Sequence, residues 1–389
     1  MFQDERFMSM ALTVARRGLG NVYPNPAVGC IITNGGAVVG RGWTLAGGRP
    51  HAETVALKNA GGAARGSVVY VTLEPCCHNG VTGPCTTALI QAGVSRVVVA
   101  ARDPDYRVSG KGVKALLEAG IEVKCGVLQK EAETLNAGFF NSKLLNRPLI
   151  TVKLATTLDG KISLNKAGSP WITNIFTRRW VHKQRAMNDA IMVGSNTVVK
   201  DDPMLDCRLP GLERDSPIRV VIDRSGKLKP QHKLVETAST IPTYVLTDNG
   251  DHLRLPNVQY LEVSGGQDFL RSCMRVLTQR LGVTRLFVEG GGILVTELLR
   301  RELVDRFIWS RASTISGAGG ADAIVNVGLL LGACCEFAKT QSMSFMTDTV
   351  EIYDVTYCLQ QTSIDTSACR KHRAVGVSCN RDAGFQDQK

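Results

Sequence analysis

No apolar run of about eighteen residues occurs in the 389 positions, so no helix is expected to span a membrane. The opening stretch, MFQDERFMSMALTVARRG, carries acids early and lacks a small-residue cleavage site. It is not expected to act as a secretory signal and reads as an amphipathic helix. The expected compartment is therefore cytoplasmic and reducing, which argues against a disulfide framework for the twelve cysteines. Dense Lys/Arg runs are missing too. The net charge of +11 divides into +6 over residues 1–147 (16 basic, 10 acidic) and +5 over residues 148–389 (30 and 25). So diffuse an excess suits a surface that attracts anionic small molecules, and no nucleic-acid or membrane partner is expected. There is no internal repeat and no G-x-G-x-x-G dinucleotide fingerprint.

What is present is ordinary globular composition, 44% hydrophobic and 21% charged, over a length that suggests two domains. The runs AVGCIITN and AVVGRGW flank Gly35–Gly36 and predict a hairpin. A helix from about His51, the strand SVVYVTL, a helix from about Thr86, the strand RVVVAA, a helix near 111–119 and the strand IEVKCGV follow. Alternating strands and helices imply a layered α/β unit. One long helix, roughly 129–145, is expected to close it. A second α/β unit opens at NRPLITVKLA, with strands DAIMVG, IRVVID, PTYVLT, TRLFVEG and VDRFIWS. Its helices are expected near 175–187, 268–281 and 292–300, with a terminal hairpin near 342–347 and 350–358. The domains are thus expected at 1–146 and 147–360, and the polar, aperiodic residues 361–389 as a disordered tail.

The stretch RPHAETVA places His51 and Glu53 at a helix start, where Pro50 costs nothing. On that evidence alone the plain reading has Glu53 favouring the positive end of the helix dipole and His51 as an ordinary loop residue. TLEPCCHNGVTGPC changes the balance: a strand runs into Pro75 and Cys76, and Cys85 follows at another helix start. A catalytic zinc needs three protein ligands and an open position, and His51, Cys76 and Cys85 supply one imidazole and two thiolates. Glu53 is left over to move protons between an activated water and a departing amine. The pattern is that of zinc deaminases, with the second cysteine nine residues on rather than three. A buried apolar thiol is the plain alternative for any one cysteine. Cys77 or His78 could compete as a fourth ligand, closing the site into a structural one. His78 otherwise lines the pocket or is a simple loop residue.

Taken together, YPNPAVGCII, PHAE, TLEPCCHNGVTGPC, IQAGVSRVVVAARDPD and VSGKG resemble the bifunctional deaminase–reductases of riboflavin biosynthesis. KLATTLDGKI, GSPWIT, RAMNDAIMVGSNTVVKDDPMLDCR and VEGGG are similar to the reductase half, so the resemblance spans about residues 1–358. It implies a cytidine-deaminase-like three-layer α/β/α domain followed by a dihydrofolate-reductase-like α/β domain. It implies deamination of 2,5-diamino-6-(5-phosphoribosylamino)pyrimidin-4(3H)-one, a phosphorylated aminopyrimidine, and then NADPH-dependent reduction of its ribosyl group to ribityl. Asn25 and His78 would meet the first substrate. A homo-oligomer is expected, of a size the sequence does not give. The family usually has Ser at Cys77, Arg at Val81, Pro at Gly83, Thr at Asp206 and a small hydroxyl at Arg224.

In the second half, RLFVEGGGILVTELL is a strand, a glycine turn and a helix, a weak signal for a phosphate cradle. By resemblance, NADPH would touch Ala155, Trp171, Thr197, Asp201 and Gly291, Gly292, Ile293, Leu294, Val295, Thr296 and Glu297. The substrate would meet Ser169, Arg185, Leu205, Arg208 and Glu289. Two arginine forks suit a phosphate, although a solvated helix face (Arg185) and a loop ion pair (Arg208) are the plainer alternatives. Asp201 could instead cap a turn at DDP. Lys153, in an otherwise apolar strand, is expected to face the ribose and polarise the opened C1′. A nucleoside or tRNA deaminase explains the first half but leaves the second without a task. A zinc-stabilised binding module would want four protein ligands and leave Glu53 idle.

Overall fold

The computed structural model describes residues 2–78, 83–106, 108–163, 171–250, 254–266, 268–325 and 335–357. Ser169, Val81 and the segment 361–389 lie outside the described residues. In the first half the helices are α1 (Phe2–Ala15), α2 (Ala52–Ala60), α3 (Cys85–Ala92), α4 (Lys111–Glu118), α5 (Gln129–Leu135) and α6 (Ala137–Leu144). The strands are β1 (Gly29–Asn34), β2 (Ala37–Trp43), β3 (Val68–Leu73), β4 (Arg96–Ala101) and β5 (Glu122–Cys125). They form one sheet in the order β2-β1-β3-β4-β5, antiparallel across β2, β1 and β3 and parallel from β3 to β5.

Continuous apolar runs such as RVVVAA make sense here, because β3 and β4 are covered on both faces. Phe7, Met8 and Leu12 of α1, Ala52 and Ala56 of α2 and Leu89 of α3 pack against the sheet in one core. α2 lies so close to β2 that a Cβ on Gly42 would stand 2.3 Å from the Ala52 carbonyl oxygen. That contact sets where the first turn of α2 sits.

The second half contributes β6 (Leu149–Thr156), β7 (Ala190–Gly194), β8 (Ile218–Ile222), β9 (Thr243–Thr247), β10 (Val258–Glu262), β11 (Arg285–Val288) and β12 (Arg306–Arg311). The hairpin β13 (Cys335–Phe345) and β14 (Asp348–Tyr357) completes the strands. Its helices are α7 (Ile175–Ala186), α8 (Ser195–Asp201), α9 (Lys233–Glu236), α10 (Phe269–Leu281) and α11 (Gly292–Arg300). The nine strands run β10-β9-β8-β7-β11-β6-β12-β14-β13, parallel up to β12 and antiparallel beyond it. Apolar clusters lie on both faces of this sheet, one built around α10 and α11 and one around Val181 and Leu234. The two sheets share no strand.

Three expectations change. The expected single helix over 129–145 is two, broken at Asn136, whose side chain accepts from Ala27 N–H (2.9 Å) and donates to the Ala27 carbonyl (3.0 Å). A side-chain amide that satisfies a distant backbone pair is invisible to helical periodicity. Neither β10, a five-residue strand, nor α8, which is short and largely polar, is among the elements expected from the sequence. The terminal hairpin is longer than expected and turns at 346–347.

Candidate functional site

His51 stands one position before α2, as its N-cap with extended backbone, rather than inside the first turn. Its side chain makes no capping bond. Instead Nδ1 lies 3.3 Å from Cys85 Sγ and 3.5 Å from Cys76 Sγ. These ligand atoms all fall within 4.8 Å of one another. The local sequence explains the meeting. Pro75, with no N–H, ends the β3 ladder and delivers Cys76. Cys85 opens α3, and its free N–H donates to Cys76 Sγ at 3.4 Å, while Thr86 N–H donates to the Cys76 carbonyl at 3.2 Å. Hydrogen bonding from Cys85, with His51 alongside, holds the Cys76 thiol down at about 4. Cys85, beside that thiolate and buried, is pushed far up. His51 is raised by its bond to Cys76.

One imidazole nitrogen and two sulfurs converging on a point match the donor set of zinc. Neither Cys77 nor His78 belongs to the cluster; Cys77 is half-buried and His78 exposed. Glu53 is 4% exposed and in hydrogen-bond contact with the Cys85 thiol. Burial, reinforced by the Cys76 charge, raises its carboxyl to about 7. Asn25 presses on the turn leading to His51: a Cβ on Gly48 would meet its Nδ2 at 2.0 Å. Gly83 is exposed with open space around it.

Glu74 was missed by sequence reasoning. It is buried at the end of β3 and accepts from the backbone N–H groups of Gly110 (3.0 Å), Gly112 (3.0 Å), Val113 (3.1 Å) and Asp103 (3.4 Å). It therefore caps α4 and ties the 103–112 loop to the strand end that carries Cys76. A carboxylate closing an apolar strand was the available signal.

In the second half, Lys153 on β6 faces Glu289 and Arg185, and burial lowers its ammonium against the pull of Glu289. Arg185 grips Glu289 with both prongs, Nε to Oε1 at 2.6 Å and Nη2 to Oε2 at 3.0 Å. Its Nη1 donates to the Asp206 carbonyl at 2.8 Å. Burial alone would raise the Glu289 carboxyl; Arg185 outweighs it and holds it at about 2. Arg185, its side chain 11% exposed, is thus committed to Glu289 and is not a solvated helix face. Arg208 is half-exposed, its Nε 3.6 Å from Asp206 Oδ1. Leu205 is buried with a left-handed backbone. His182, also missed, lies between Arg185 and Arg208.

Of the residues expected at NADPH, Trp171 is exposed, with Arg178 stacked over its ring. Ala155 sits half-buried on β6. Asp201 ends α8, and Asp202, with its left-handed backbone, makes the turn there. Thr197 and Gly291 approach each other: a Cβ on Gly291 would lie 3.7 Å from the Thr197 hydroxyl. Gly291 caps α11, leaving the N–H groups of Gly292, Ile293 and Leu294 without intrahelical partners, a concave end suited to a phosphate. Val295 and Thr296 turn into the core, the Thr296 hydroxyl taking Val325 N–H, and Glu297 pairs with Arg300 and Arg301. Arg224, at a position of departure, pairs with Asp248 and lies over Phe269.

Residues 1–101 match the cytidine and deoxycytidylate deaminase zinc-binding region, and residues 148–350 match the RibD C-terminal domain. The riboflavin biosynthesis protein RibD of Aquifex aeolicus is 40% identical over 320 residues, covering 81% of this chain and 88% of that one. That of Escherichia coli K12 is 39% identical over 331 residues, with 81% and 89% covered. Among solved structures, RibD of Acinetobacter baumannii (form 1) superposes with a TM-score of 0.81 at 33% identity, covering 91% of this chain and 99% of that one. A diaminohydroxyphosphoribosylaminopyrimidine deaminase/5-amino-6-(5-phosphoribosylamino)uracil reductase from Thermotoga maritima gives the same four figures.

Proposed function

The chain belongs to the RibD family of riboflavin biosynthesis proteins, and from that premise we propose how its residues divide the family's two reactions. The enzyme is a zinc-dependent deaminase joined to an NADPH-dependent reductase. It hydrolyses 2,5-diamino-6-(5-phosphoribosylamino)pyrimidin-4(3H)-one and then reduces the ribosyl group of the product to ribityl. The domain boundary falls at 146/147, between the last helix of the first sheet's unit and β6.

His51 Nδ1, Cys76 Sγ and Cys85 Sγ would hold the zinc, which when bound supplies Lewis-acid activation of water. Glu53 moves the protons. Its carboxylate accepts one from the water that adds to the amine-bearing ring carbon and returns it to the nitrogen, which leaves as ammonia. Asn25 and His78 face the pyrimidine. The observation that carries this reading is a buried carboxylate standing beside, and not within, a His/Cys/Cys set.

In the reductase the free N–H groups of α11, with Thr197, Trp171, Ala155 and Asp201, would hold NADPH, which supplies the hydride. Lys153 donates to the opened C1′ group as negative charge develops there. Arg208 meets the substrate phosphate and Leu205 lines the same pocket, while Arg185 keeps Glu289 ionised and aimed. Ligation by Cys76 and Cys85 requires free thiols, which suits a cytoplasmic location. The open edges of β2 and β13 offer surfaces for a homo-oligomer.

Chelation separates the two halves. Full-length protein stripped of zinc should lose deamination while still oxidising NADPH on supply of the deaminated intermediate. Loss of reduction in folded, zinc-free protein would refute this division.

A further inference from the structure

We propose that His182 is a further ligand for the substrate phosphate in the reductase, donating from Nε2–H to the oxygen that Arg208 also grips. This rests on the reading above that Arg208 meets that phosphate.

His182 lies on α7, one turn before Arg185. Its Nδ1 has two neighbours, the Asp206 carbonyl at 3.1 Å and the Arg208 N–H at 3.2 Å. A ring nitrogen serves one of them: protonated it donates to the carbonyl, bare it accepts from the amide. The Asp206 carbonyl already receives Arg185 Nη1 at 2.8 Å. The Arg208 amide has no other acceptor among the described residues. Satisfying both groups makes Nδ1 the acceptor and puts the ring proton on Nε2.

Nε2 then faces Arg208 Nη2 at 3.5 Å. Both are donors and cannot bond each other, so the pair lacks the acceptor that would suit both. An anionic oxygen lodged between them accepts from each, and a phosphate monoester presents three such oxygens. The charges around the ring agree. Burial and the Arg185 and Arg208 cations keep the imidazole below its ordinary range. Of the carboxylates nearby, Glu289 lies on Arg185, and Asp206, whose Oδ1 makes no hydrogen bond among the described residues, stands 3.6 Å from the Nε of Arg208, leaving its Nη end open. Because that aspartate offsets part of the Arg208 charge, the neutral donor of His182 carries more of the recognition in this chain.

The test compares KM in the full-length enzyme for the phosphorylated uracil intermediate and for its dephosphorylated riboside. H182N offers an oxygen near the place of Nδ1, so the Arg208 amide keeps its acceptor, but it has no donor at the reach of Nε2. H182Q restores a donor at that reach. One charge-assisted hydrogen bond is worth roughly tenfold or more. H182N should therefore raise KM about tenfold for the phosphorylated substrate, with the loss falling mainly in KM, and less than about twofold for the riboside; H182Q should recover much of it. Equal rises for both substrates would mean that His182 only shapes the 206–208 turn, and would overturn the proposal. So would an unchanged H182N in an enzyme whose wild type prefers the phosphorylated substrate. A wild type indifferent to the phosphate would instead overturn the Arg208 assignment and this one with it. Without any variant, inorganic phosphate titrated into the wild type should shift the His182 ring resonances; resonances that stay put at saturation would also refute it.

Discussion

Glu53 combines a burial that an acidic side chain tolerates only for a reason with a place outside the ligand set. Glu53→Gln keeps shape and hydrogen bonding but cannot carry a proton. Deamination should fall by roughly 10²–10⁴, with zinc content, read by metal analysis, unchanged; near-wild-type deamination in a zinc-loaded variant would refute the role. His51, Cys76, Cys85 and Glu53 were legible because metal and proton chemistry accept few residue types, and because Pro75 and the helix starts advertise where the chain turns. Glu74 and His182 were not legible. The partners of Glu74 are backbone amides far along the chain, and those of His182 include the main chain of a loop that sequence cannot fold onto α7. Arg185 is expected from the sequence to meet the substrate, and the acid that engages it in the fold lies 104 positions away, beyond any local pattern.

At the scale of elements, α1 is fastened to the sheet by one acid. Asp4 accepts from Arg96 Nη1 (3.0 Å) and Nη2 (3.1 Å) on β4, from Lys124 Nζ (2.7 Å) on β5 and from the Tyr70 hydroxyl (3.2 Å) on β3. The hydrogen bonds from Arg96, followed by that from Lys124, hold its carboxyl far below the usual range. A depressed carboxyl stabilises the fold above its unfolded pKa of about 3.9, and the benefit fades as pH falls toward the lower folded value. Asp4→Asn should therefore cost about 1–3 kcal/mol near pH 7, and the gap from wild type should narrow steadily below about pH 4. Thermal melts across pH check it; a gap that widens in acid would contradict it. The strands and long helices were readable because apolar runs and 3.6-residue periodicity are local. The break at Asn136 and the short edge strand β10 depend on partners outside any sequence window.

Across the whole molecule the two units meet closely. A Cβ on Gly138 of α6 would stand 2.5 Å from the Thr284 carbonyl oxygen, and one on Gly20 2.2 Å from that of Ala186. Arg285 donates to the Met187 carbonyl (3.1 Å) and reaches the Leu135 carbonyl (3.5 Å), and Asn21 donates to Asp215 (3.2 Å). Gly138→Ala must push α6 away from β11. A cost of about 1–3 kcal/mol is expected for such overpacking, seen as a melting point lower by several degrees; an unchanged melting point would show that the seam yields freely.

That seam gives the fused chain a property beyond delivering two catalysts in equal number. Ala186, which Gly20 approaches, directly follows Arg185, proposed above to hold Glu289 in the reductase, and Gly20 lies five residues before Asn25, proposed above to face the pyrimidine. A substitution there is expected to burden two consecutive steps of one pathway at once. Natural variation at the seam should thus be purged as though it struck both active sites, although it touches the reacting atoms of neither.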